Sequence, residues 1–269
     1  MSELASRREP FAVATVTKTE GSTLAKVGFK ILISPECDVV GGTLGGGCPE
    51  GPIVEVARAA MRDGVAQVVR VHLVDTERAV AGTVVSPTAG EIYVETNCGG
   101  TMEVFVEPMM PTERLVIVAQ GGKDDIEGAL VHLGKALGFQ VVVVDPVPVL
   151  EETPDVLHEA DGTDLGPIAI GGRDYVVVLT KGERDVAILE GLSRTPAKFV
   201  GLLASRHRLR GNIAELRRRG VSESFLNALH APVGLNIGAL TPPELALAIL
   251  GDVIATKYGK DVPHKPLDG

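Results

Sequence analysis

The sequence predicts an α/β protein in two parts, and three observations lead to this class. Short β-rich runs, with a single amphipathic helical pattern among them, fill the N-terminal part. Valine-rich runs that alternate with amphipathic helices fill the C-terminal part. Between them lies PMMPTE (108–113), whose prolines are typical of a linker. We therefore predict two domains, residues 1–110 and 111–269.

The N-terminal domain is predicted to be a mixed α/β domain rich in short strands. Its candidate strands are FAVATVT (11–17), KILIS (30–34), QVVRVHLV (67–74), EIYVE (91–95) and MEVFVEP (102–108). The helical pattern begins after Cys48 and is expected to end at Gly64. Its apolar residues recur at steps of three and four: Ile53, Val54, Ala57, Ala60 and Met61.

The C-terminal domain is predicted to be a doubly wound, Rossmann-like parallel sheet. Its apolar runs are RLVIVA (114–119), QVVVVD (140–145), YVVVLT (175–180) and KFVGLLA (198–204). A helix that ends at Gly138 separates the first two, with an apolar face formed by Ile126, Ala129, Leu130, Leu133 and Leu137. Uninterrupted valine-rich runs between amphipathic helices are typical of a parallel sheet that is covered on both faces.

Composition narrows the classes of function. The 269 residues carry a formal net charge of −9, which disfavours nucleic acid and anionic membranes as partners. No apolar run approaches the ~20 residues of a membrane span, and MSELASRREPF lacks the hydrophobic core of a signal peptide. The three cysteines form no CxxC pair, which favours reduced thiols. We expect a cytoplasmic protein.

A dinucleotide site in the C-terminal domain would require a G-x-G-x-x-G fingerprint after the first strand. The sequence there is AQGGKDDIEG, in which Gly121 and Gly122 are adjacent, so the fingerprint is not met. Asp145 ends the next strand and could accept a ribose hydroxyl. Asp124 and Asp125 suit a helix N-terminus but would repel a pyrophosphate. A nucleotide site and a tight turn capped by an aspartate both stand as interpretations.

The stretch VGGTLGGGCPEG (40–51) places Cys48 between three glycines and a proline. Because proline is favoured at the first helical position, Pro49 predicts that Cys48 is the N-cap, where the helix dipole favours a thiolate. Gly45, Gly46 and Gly47 could present successive amides to an anion. The alternative is a glycine-rich turn around an inert buried cysteine, and this stretch alone does not separate the two.

A second cysteine repeats the pattern. In NCGGTMEVFVEP, Cys98 is followed by Gly99 and Gly100 at the entry to a strand. Two cysteines that each lie beside paired glycines favour a ligand site over two coincidental core residues. Cys37, in the turn-like segment SPECD, is interpreted instead as an incidental surface or half-buried thiol.

The basic run 206–219 could at first suggest a patch that binds a partner. Leu209, Ile213 and Leu216 fall at the spacing of a buried helical stripe, so the arginines are interpreted as a solvated face. Arg206 and His207 are the exception. They lie at a strand-to-helix turn, at the carboxyl end of a strand, where open α/β sheets place ligands, and could contact a phosphate.

Together these motifs resemble the XdhC/CoxI family. GGTLGGGCPEG resembles its glycine–cysteine–glutamate–glycine signature, and NCGGTMEVFVEP resembles its second cysteine motif. TKTEGSTLAKVGFKILI is similar to its early Gly-Ser turn and the strand that follows. FVGLLASRHR and LHAPVGLNIGALTPPELALAIL are similar to the segments that close its Rossmann domain. The resemblance covers roughly residues 11–258.

The resemblance implies an accessory protein rather than an enzyme. Such a protein binds the molybdenum cofactor (molybdopterin), protects it during sulfuration by a cysteine desulfurase, and passes it to the apo large subunit of a molybdenum hydroxylase. Xanthine dehydrogenase and carbon monoxide dehydrogenase are such hydroxylases. The resemblance also implies a homodimer and makes Cys48 and Cys98 candidate molybdenum contacts. Soft thiolates suit a thiophilic metal, and a glycine nest at a helix N-terminus suits a phosphate.

The sequence also departs from the family pattern. AQGGKDDIEG replaces the G-x-G-x-x-G of many members, and Ala204 stands where members often have glycine. Leu24 and Ala25 replace the proline and arginine that many members carry after the Gly-Ser turn. Two other classes of function therefore stay open: an NAD(P)-dependent oxidoreductase that uses the Rossmann-like domain, and an assembly scaffold without a cofactor.

Overall fold

The computed structural model describes residues 4, 9–46, 49–74, 90–96 and 100–262. The chain divides into two compact units, Met1–Pro111 and Thr112–Gly269. The first unit contains a mixed sheet of short strands and the second contains a parallel sheet, so the predicted α/β fold class is confirmed. Within the described ranges, no helix is long and apolar enough to cross a bilayer.

The N-terminal unit is a sheet with a helix on one face. Its described strands are β1 (Phe11–Glu20), β2 (Lys30–Ile33), β3 (Val39–Gly42), β4 (Gln67–Val74), β5 (Glu91–Glu95) and β6 (Gly100–Met109). They lie in the order β3-β2-β1-β6-β4-β5, and all pairs are antiparallel except β4 with β5. Alternate residues of β1, β4 and β6 are buried in a core shared with helix α1 (Glu50–Asp63). That alternation is the reason the strands are recognisable in the sequence.

Two predicted boundaries in this unit shift. Pro49, expected at the first helical position, occupies the N-cap instead, because its carbonyl accepts the first helical hydrogen bond from the Ile53 N–H at 3.3 Å. The predicted linker is shorter, since Pro108 lies inside β6 opposite Ala12. Proline fits there because β4 reaches only as far as Val106, which leaves that part of β6 with β1 as its described neighbour.

The C-terminal unit contains a parallel sheet. Its described strands are β7 (Arg114–Val118), β8 (Gln140–Val144), β9 (Val156–His158), β10 (Asp174–Val178) and β11 (Phe199–Leu202), in the order β11-β10-β7-β8-β9. Its described α-helices are α2 (Asp125–Ala136), α3 (Asp185–Leu192), α4 (Arg206–Arg218), α5 (Glu223–Ala228) and α6 (Pro242–Lys257). From β7 the chain continues to β8 and β9 on one side of that strand, and it then crosses to β10 and β11 on its other side. The topological switch point, where such sheets bind ligands, therefore lies between β7 and β10.

Helix α2 packs with most of its predicted face against the core, since Leu130 is buried and Ile126, Ala129 and Leu133 are half-buried against it. Its buried residues are Glu127, Leu130, Val131 and Gly134. The predicted core position Leu137 is wrong, because the helix ends at Ala136 and Leu137 is 47% exposed. Gly138 takes a positive φ of 82° directly after it and turns the chain away. A carboxyl side chain, Glu127, thus lies in the apolar stripe.

Candidate functional site

A cleft of about 70 Å³ in the N-terminal unit lies where three chain segments meet. These are the segment after β1, the loop between β3 and α1, and the segment that follows β5. Most of the lining is apolar and includes Leu24, Ala25, Leu44, Pro49, Leu73 and Met102. Thr23 and Thr96 add hydroxyl groups at its wall.

Bare backbone allows these segments to approach each other closely. Gly45 has a φ of +99°, and a Cβ atom there would lie 2.6 Å from the Ala25 nitrogen. Gly100 has a φ of +114°, and a Cβ atom there would lie 2.6 Å from the Glu20 carbonyl oxygen. Because real Cβ atoms do not approach so closely, glycine at both positions is required by the path of the chain after β1.

The amides before Cys48 are partly used by the protein itself. The Gly45 N–H donates to Thr43 Oγ1 at 3.1 Å, and the Leu44 N–H donates to Glu50 Oε1 at 3.4 Å. Glu50, the first residue of α1, thereby holds the loop to the helix. Gly46 also lines the cleft, and a Cβ atom there would have no described heavy atom within 4 Å. Gly46 therefore both lines the cleft and has open space beside it.

Four predicted site residues lie outside the described part of the chain: Gly47, Cys48, Cys98 and Gly99. The described residues that flank them converge. Gly46 and Pro49, on either side of 47–48, both line the cleft, and so does Thr96, which precedes 97–99. Two segments that are far apart in sequence therefore border the same cleft.

Cys37 behaves as the sequence suggested. It lies half-buried in the turn between β2 and β3, with its thiol donating to the Pro35 carbonyl at 3.9 Å. It packs against the edge of the core and is not part of the cleft lining. Substitution of Cys37 is therefore a suitable control for substitutions of Cys48 and Cys98.

The switch point of the C-terminal sheet is bridged by the protein's own side chains. Arg184, after β10, donates through Nη2 to the carbonyls of Ala119 and Gln120, after β7, at 3.2 and 3.1 Å. In the other direction, Gln120 Oε1 accepts a hydrogen bond from the Lys181 N–H at 3.0 Å. Groups that could bind a ligand here are thus paired with each other.

The predicted nucleotide residues Gly121, Gly122 and Asp145 are also engaged within the protein. The Gly122 N–H donates to the Val147 carbonyl at 2.8 Å, which brings the segment after β8 across the glycine loop. Asp145 is fully buried, and its Oδ1 accepts from the Val147 N–H at 2.7 Å. Its carboxylate therefore faces the protein's own backbone rather than the surface where a ribose would lie.

The N-terminus of α2 is capped by an aspartate, one of the two interpretations of the sequence. Asp124 is the N-cap, and its Oδ1 accepts from the N–H groups of Ile126 and Glu127 at 2.9 and 3.3 Å. In a dinucleotide-binding protein these amides would face a pyrophosphate. Here a carboxylate that belongs to the chain already occupies them.

A buried network joins the next two strand ends. Asp185, at the start of α3, accepts from Thr180 Oγ1 at 2.5 Å and from Asn212 Nδ2 at 2.6 Å. Arg208 Nε lies 3.1 Å from Oδ2 of the same carboxylate, the oxygen that also accepts from Asn212. The predicted phosphate contact, Arg206, is the first residue of α4 and is half-buried.

Sequence reasoning missed the residues that close this edge of the sheet. Arg184, Asp185 and Arg208 all follow directly after a valine-rich strand or open the next helix. Their position at the carboxyl ends of predicted parallel strands could have identified them. Glu127 gave no comparable indication, because a glutamate in a helix is ordinarily exposed.

Two family models match the chain. The XdhC Rossmann domain matches residues 115–253, and the XdhC and CoxI family matches residues 4–72. The two matches lie in the C-terminal and N-terminal units, respectively.

Curated relatives and a solved structure are also similar. The chain is 29% identical over 255 residues to the uncharacterized protein YqeB of Escherichia coli K12, covering 92% of this chain and 44% of that protein. It is 24% identical over 164 residues to a probable xanthine dehydrogenase subunit of Bacillus subtilis 168, covering 58% and 47%. The chain thus spans less than half the length of these relatives. A crystal structure described as a xanthine dehydrogenase from Bacillus halodurans is 21% identical, covers 97% of this chain and 95% of that chain, and has a TM-score of 0.47.

Proposed function

This chain belongs to the XdhC/CoxI family, and we propose that it is an accessory protein of a molybdenum hydroxylase. In this proposal it binds the molybdenum cofactor, of the molybdopterin type, and helps its sulfuration and insertion. The observation that carries the proposal is that the described flanks of the two cysteine motifs, Gly46, Pro49 and Thr96, line one cleft.

The described residues fit the chemistry of that cofactor. The apolar wall formed by Leu24, Leu44 and Met102 suits a flat pterin ring. The open space beside Gly46 suits an anionic oxygen close to the backbone. When bound, the cofactor supplies a soft molybdenum centre, for which the thiolates of Cys48 and Cys98, near in sequence to these residues, would be suitable ligands.

The small size of the cleft supports transient binding of the cofactor. Pockets that enclose a drug-sized ligand have volumes of about 300–1,000 Å³, whereas this cleft has about 70 Å³. It can therefore receive one part of a pterin cofactor and cannot enclose the whole molecule. A carrier that must release its cargo benefits from such partial contact.

Three further elements belong to the proposal. The sulfur donor is a cysteine desulfurase, and the recipient is the apo large subunit of a hydroxylase of the xanthine dehydrogenase or carbon monoxide dehydrogenase type. The Bacillus subtilis relative, named as a probable xanthine dehydrogenase component, favours the former type of client. The working state is a homodimer, which light scattering of the purified protein tests directly.

The C-terminal unit gives less support to the alternative, an NAD(P)-dependent oxidoreductase. Asp145 is buried, and Asp124 occupies the amides that a pyrophosphate would need. Arg184 bridges the switch point between β7 and β10. A dinucleotide would have to displace all three sets of contacts.

The test is cofactor retention with thiol variants. The protein is purified from a molybdenum-replete host, or reconstituted with molybdopterin, and bound pterin is measured by fluorescence after oxidation. We expect bound pterin in the wild type and in Cys37→Ser, and a loss of at least tenfold in Cys48→Ser and Cys98→Ser.

Each failure has its own meaning. Absence of pterin from the reconstituted wild type would exclude cofactor binding. Maturation of the client enzyme by a Cys48→Ser/Cys98→Ser double variant at the wild-type level would favour an assembly scaffold. A thermal shift with NAD(P) that the Asp145→Asn variant loses would favour the oxidoreductase.

A further inference from the structure

Two buried carboxyl groups inside the C-terminal unit, Glu127 and Asp145, interact electrostatically. Glu127, on the first turn of α2, and Asp145, after β8, both have 0% exposed surface. Three of their four carboxyl oxygens have no hydrogen-bond partner in the described structure: Glu127 Oε1, Glu127 Oε2 and Asp145 Oδ2. Buried polar atoms without a partner are strongly disfavoured, and buried unpaired charges more so. The pair therefore requires a proton or a cation.

The surroundings of Glu127 favour the proton. Burial first, and then the negative charges of Asp145 and Asp124, raise the pKa of Glu127 to about 8. Lys123, in the preceding loop, is directed to the surface groups Asp125 and Glu151, at 3.8 and 4.0 Å. From β9, His158 meets Asp145 through its carbonyl, which accepts the Asp145 N–H at 3.0 Å.

The surroundings give less support to a metal ion. No group of three His, Cys, Asp or Glu side chains among the described residues is placed to hold one. A divalent cation in a protein generally takes six or more oxygen ligands, part of them from water, and these two carboxyl groups are fully buried. A proton shared between the two groups needs no further ligand.

The pair lies beneath a contact that covers the ligand-binding edge of the sheet. We call this contact the clamp: residues 145–148 lying over Gly121 and Gly122. The Gly122 N–H donates to Val147 O at 2.8 Å, and Asp145 Oδ1 receives the Val147 N–H at 2.7 Å. A Cβ atom at Gly121 would lie 3.2 Å from Pro146 Cγ, so the two segments are in close contact.

We propose that Glu127 carries a proton that it donates to Asp145 Oδ2, and that loss of this proton releases the clamp. On release, the O–H bond of Glu127 breaks and the proton passes to water or hydroxide. Two like charges then face each other in a buried site, and their repulsion separates the N-terminus of α2 from residues 145–148. The edge of the sheet between β7 and β8 becomes accessible above neutral pH and is closed below it.

The sign of the linked stability change follows from the two pKa values. In the unfolded chain Glu127 titrates near its ordinary value of 4.5, and in the folded protein it titrates at about 8. Between these values the folded protein holds a proton that the unfolded chain has released. This stabilisation is fully present below pH 4.5, is lost as the pH rises towards 8, and does not change further above it.

The experiment compares wild type with Glu127→Gln. The amide is similar in shape and can donate to Asp145 Oδ2, but it does not titrate. Folding stability is measured by urea unfolding in steps from pH 5 to pH 9. As the pH rises towards 8, we expect the unfolding equilibrium constant of wild type to increase relative to that of Glu127→Gln by up to about tenfold per pH unit. At pH 8 the variant is then the more stable protein. Glu151→Gln, an exposed change nearby, is the control and follows wild type.

Hydrogen exchange tests the release of the clamp. The protection factors of the Gly122 and Val147 amides, corrected for intrinsic exchange, are expected to fall in wild type between pH 7 and pH 9 and to stay constant in Glu127→Gln. If Glu127→Gln does not fold, Asp145→Asn makes the same comparison, because its amide can donate to Glu127 and carries no charge.

Three outcomes would overturn the proposal. Parallel stability curves for wild type and Glu127→Gln would mean that Glu127 holds no extra proton. Unchanged protection of the clamp amides at pH 9 would mean that the proton on Glu127 does not control the clamp. A Mg²⁺- or Mn²⁺-dependent gain in stability at pH 8, absent from Glu127→Gln, would identify the pair as a cation site.

Discussion

The candidate binding sites of the two units differ in how far the protein's own groups already occupy them. In the N-terminal unit, glycines and apolar side chains surround a cleft, and the Gly46 backbone beside it has open space. In the C-terminal unit, the edge where parallel sheets bind ligands is occupied by the chain's own side chains, among them Arg184 and Asp185. A Rossmann-like fold therefore does not by itself indicate a nucleotide site, because the same edge can serve stability.

The difference assigns separate tasks to the two units. Polar groups that are already paired within the protein stabilise the fold, and they would gain little free energy by binding a ligand instead. A cleft with bare backbone has groups that a ligand can still satisfy. In the function proposed above, the N-terminal unit would bind the cofactor, and the C-terminal unit would be the stable domain whose sheet edge opens only when Glu127 loses its proton. Variants of the two units test this division.

The largest effect is expected from Asp185→Ala. The change removes the acceptor for Thr180 and Asn212, and the ion-pair partner of Arg208, at a fully buried position. Removing one partner of a buried ion pair destabilises a protein by about 3–5 kcal/mol. Because Arg208 retains 27% exposure, we expect the low end, about 3 kcal/mol, in urea unfolding.

The control for this variant is Glu223→Ala, which removes an exposed ion pair with Arg217 and should change stability far less. A stable Asp185→Ala protein that had lost affinity for a nucleotide would contradict the division. It would show that the edge of the parallel sheet is a binding site.

A second prediction concerns the wall of the cleft. Gly45→Ala introduces a Cβ atom 2.6 Å from the Ala25 nitrogen at a φ of +99°. The positive φ alone destabilises a non-glycine residue by roughly 1–2 kcal/mol, and the clash displaces Leu24 and Ala25 from the lining. We expect a loss of stability of about 2–3 kcal/mol in urea unfolding and a loss of bound pterin.

Gly28→Ala is the matched control, since Gly28 has a φ of +92° and no described heavy atom within 4 Å of its Cβ position. It shares the backbone strain without the clash. Pterin bound equally by both variants would contradict the role of the cleft.

The sequence predicts the fold well where burial is periodic. Alternation marks β1, β4 and β6, and continuous valine runs mark β7, β8 and β10, because each pattern follows from how many faces of a strand are covered. The short strands β3 (VVGG) and β9 (VLH) were not predicted. They lie at sheet edges, where a few partly or fully exposed residues leave no such pattern.

The candidate site is less predictable than the fold. Local sequence indicated that the paired glycines beside Cys48 and Cys98 have a purpose, and an aspartate cap of α2 was one of its two interpretations of AQGGKDDIEG. It could not indicate that the Ala25 segment lies against Gly45, since that contact depends on how β1, β3 and β6 are arranged. Glu127 was missed for a related reason, because its burial depends on which face α2 turns to the sheet.

A third prediction concerns the capped helix. Asp124→Ala removes the acceptor for the Ile126 and Glu127 amides. Loss of an N-cap aspartate destabilises a helix by about 1 kcal/mol, which a urea titration resolves. The wild type should show no thermal shift with inorganic pyrophosphate, because its helix amides are occupied. A clear shift in wild type would mean that the C-terminal unit binds anions despite its cap.

The smallest effect is expected at the link between α1 and the cleft. Glu50→Ala removes the acceptor for the Leu44 amide and the Thr43 hydroxyl, both at 3.4 Å. Because these bonds are long, their loss should lower stability by about 0.5 kcal/mol. Pterin retention should fall more clearly, since residues 43–46 are no longer held to the helix and form one wall of the cleft. Glu55→Ala, on the exposed side of α1, is the control, and its ion pair with Arg58 is solvent-accessible. Equal retention of pterin by both variants would mean that the loop keeps its shape without Glu50, and that the binding wall is set by the glycines alone.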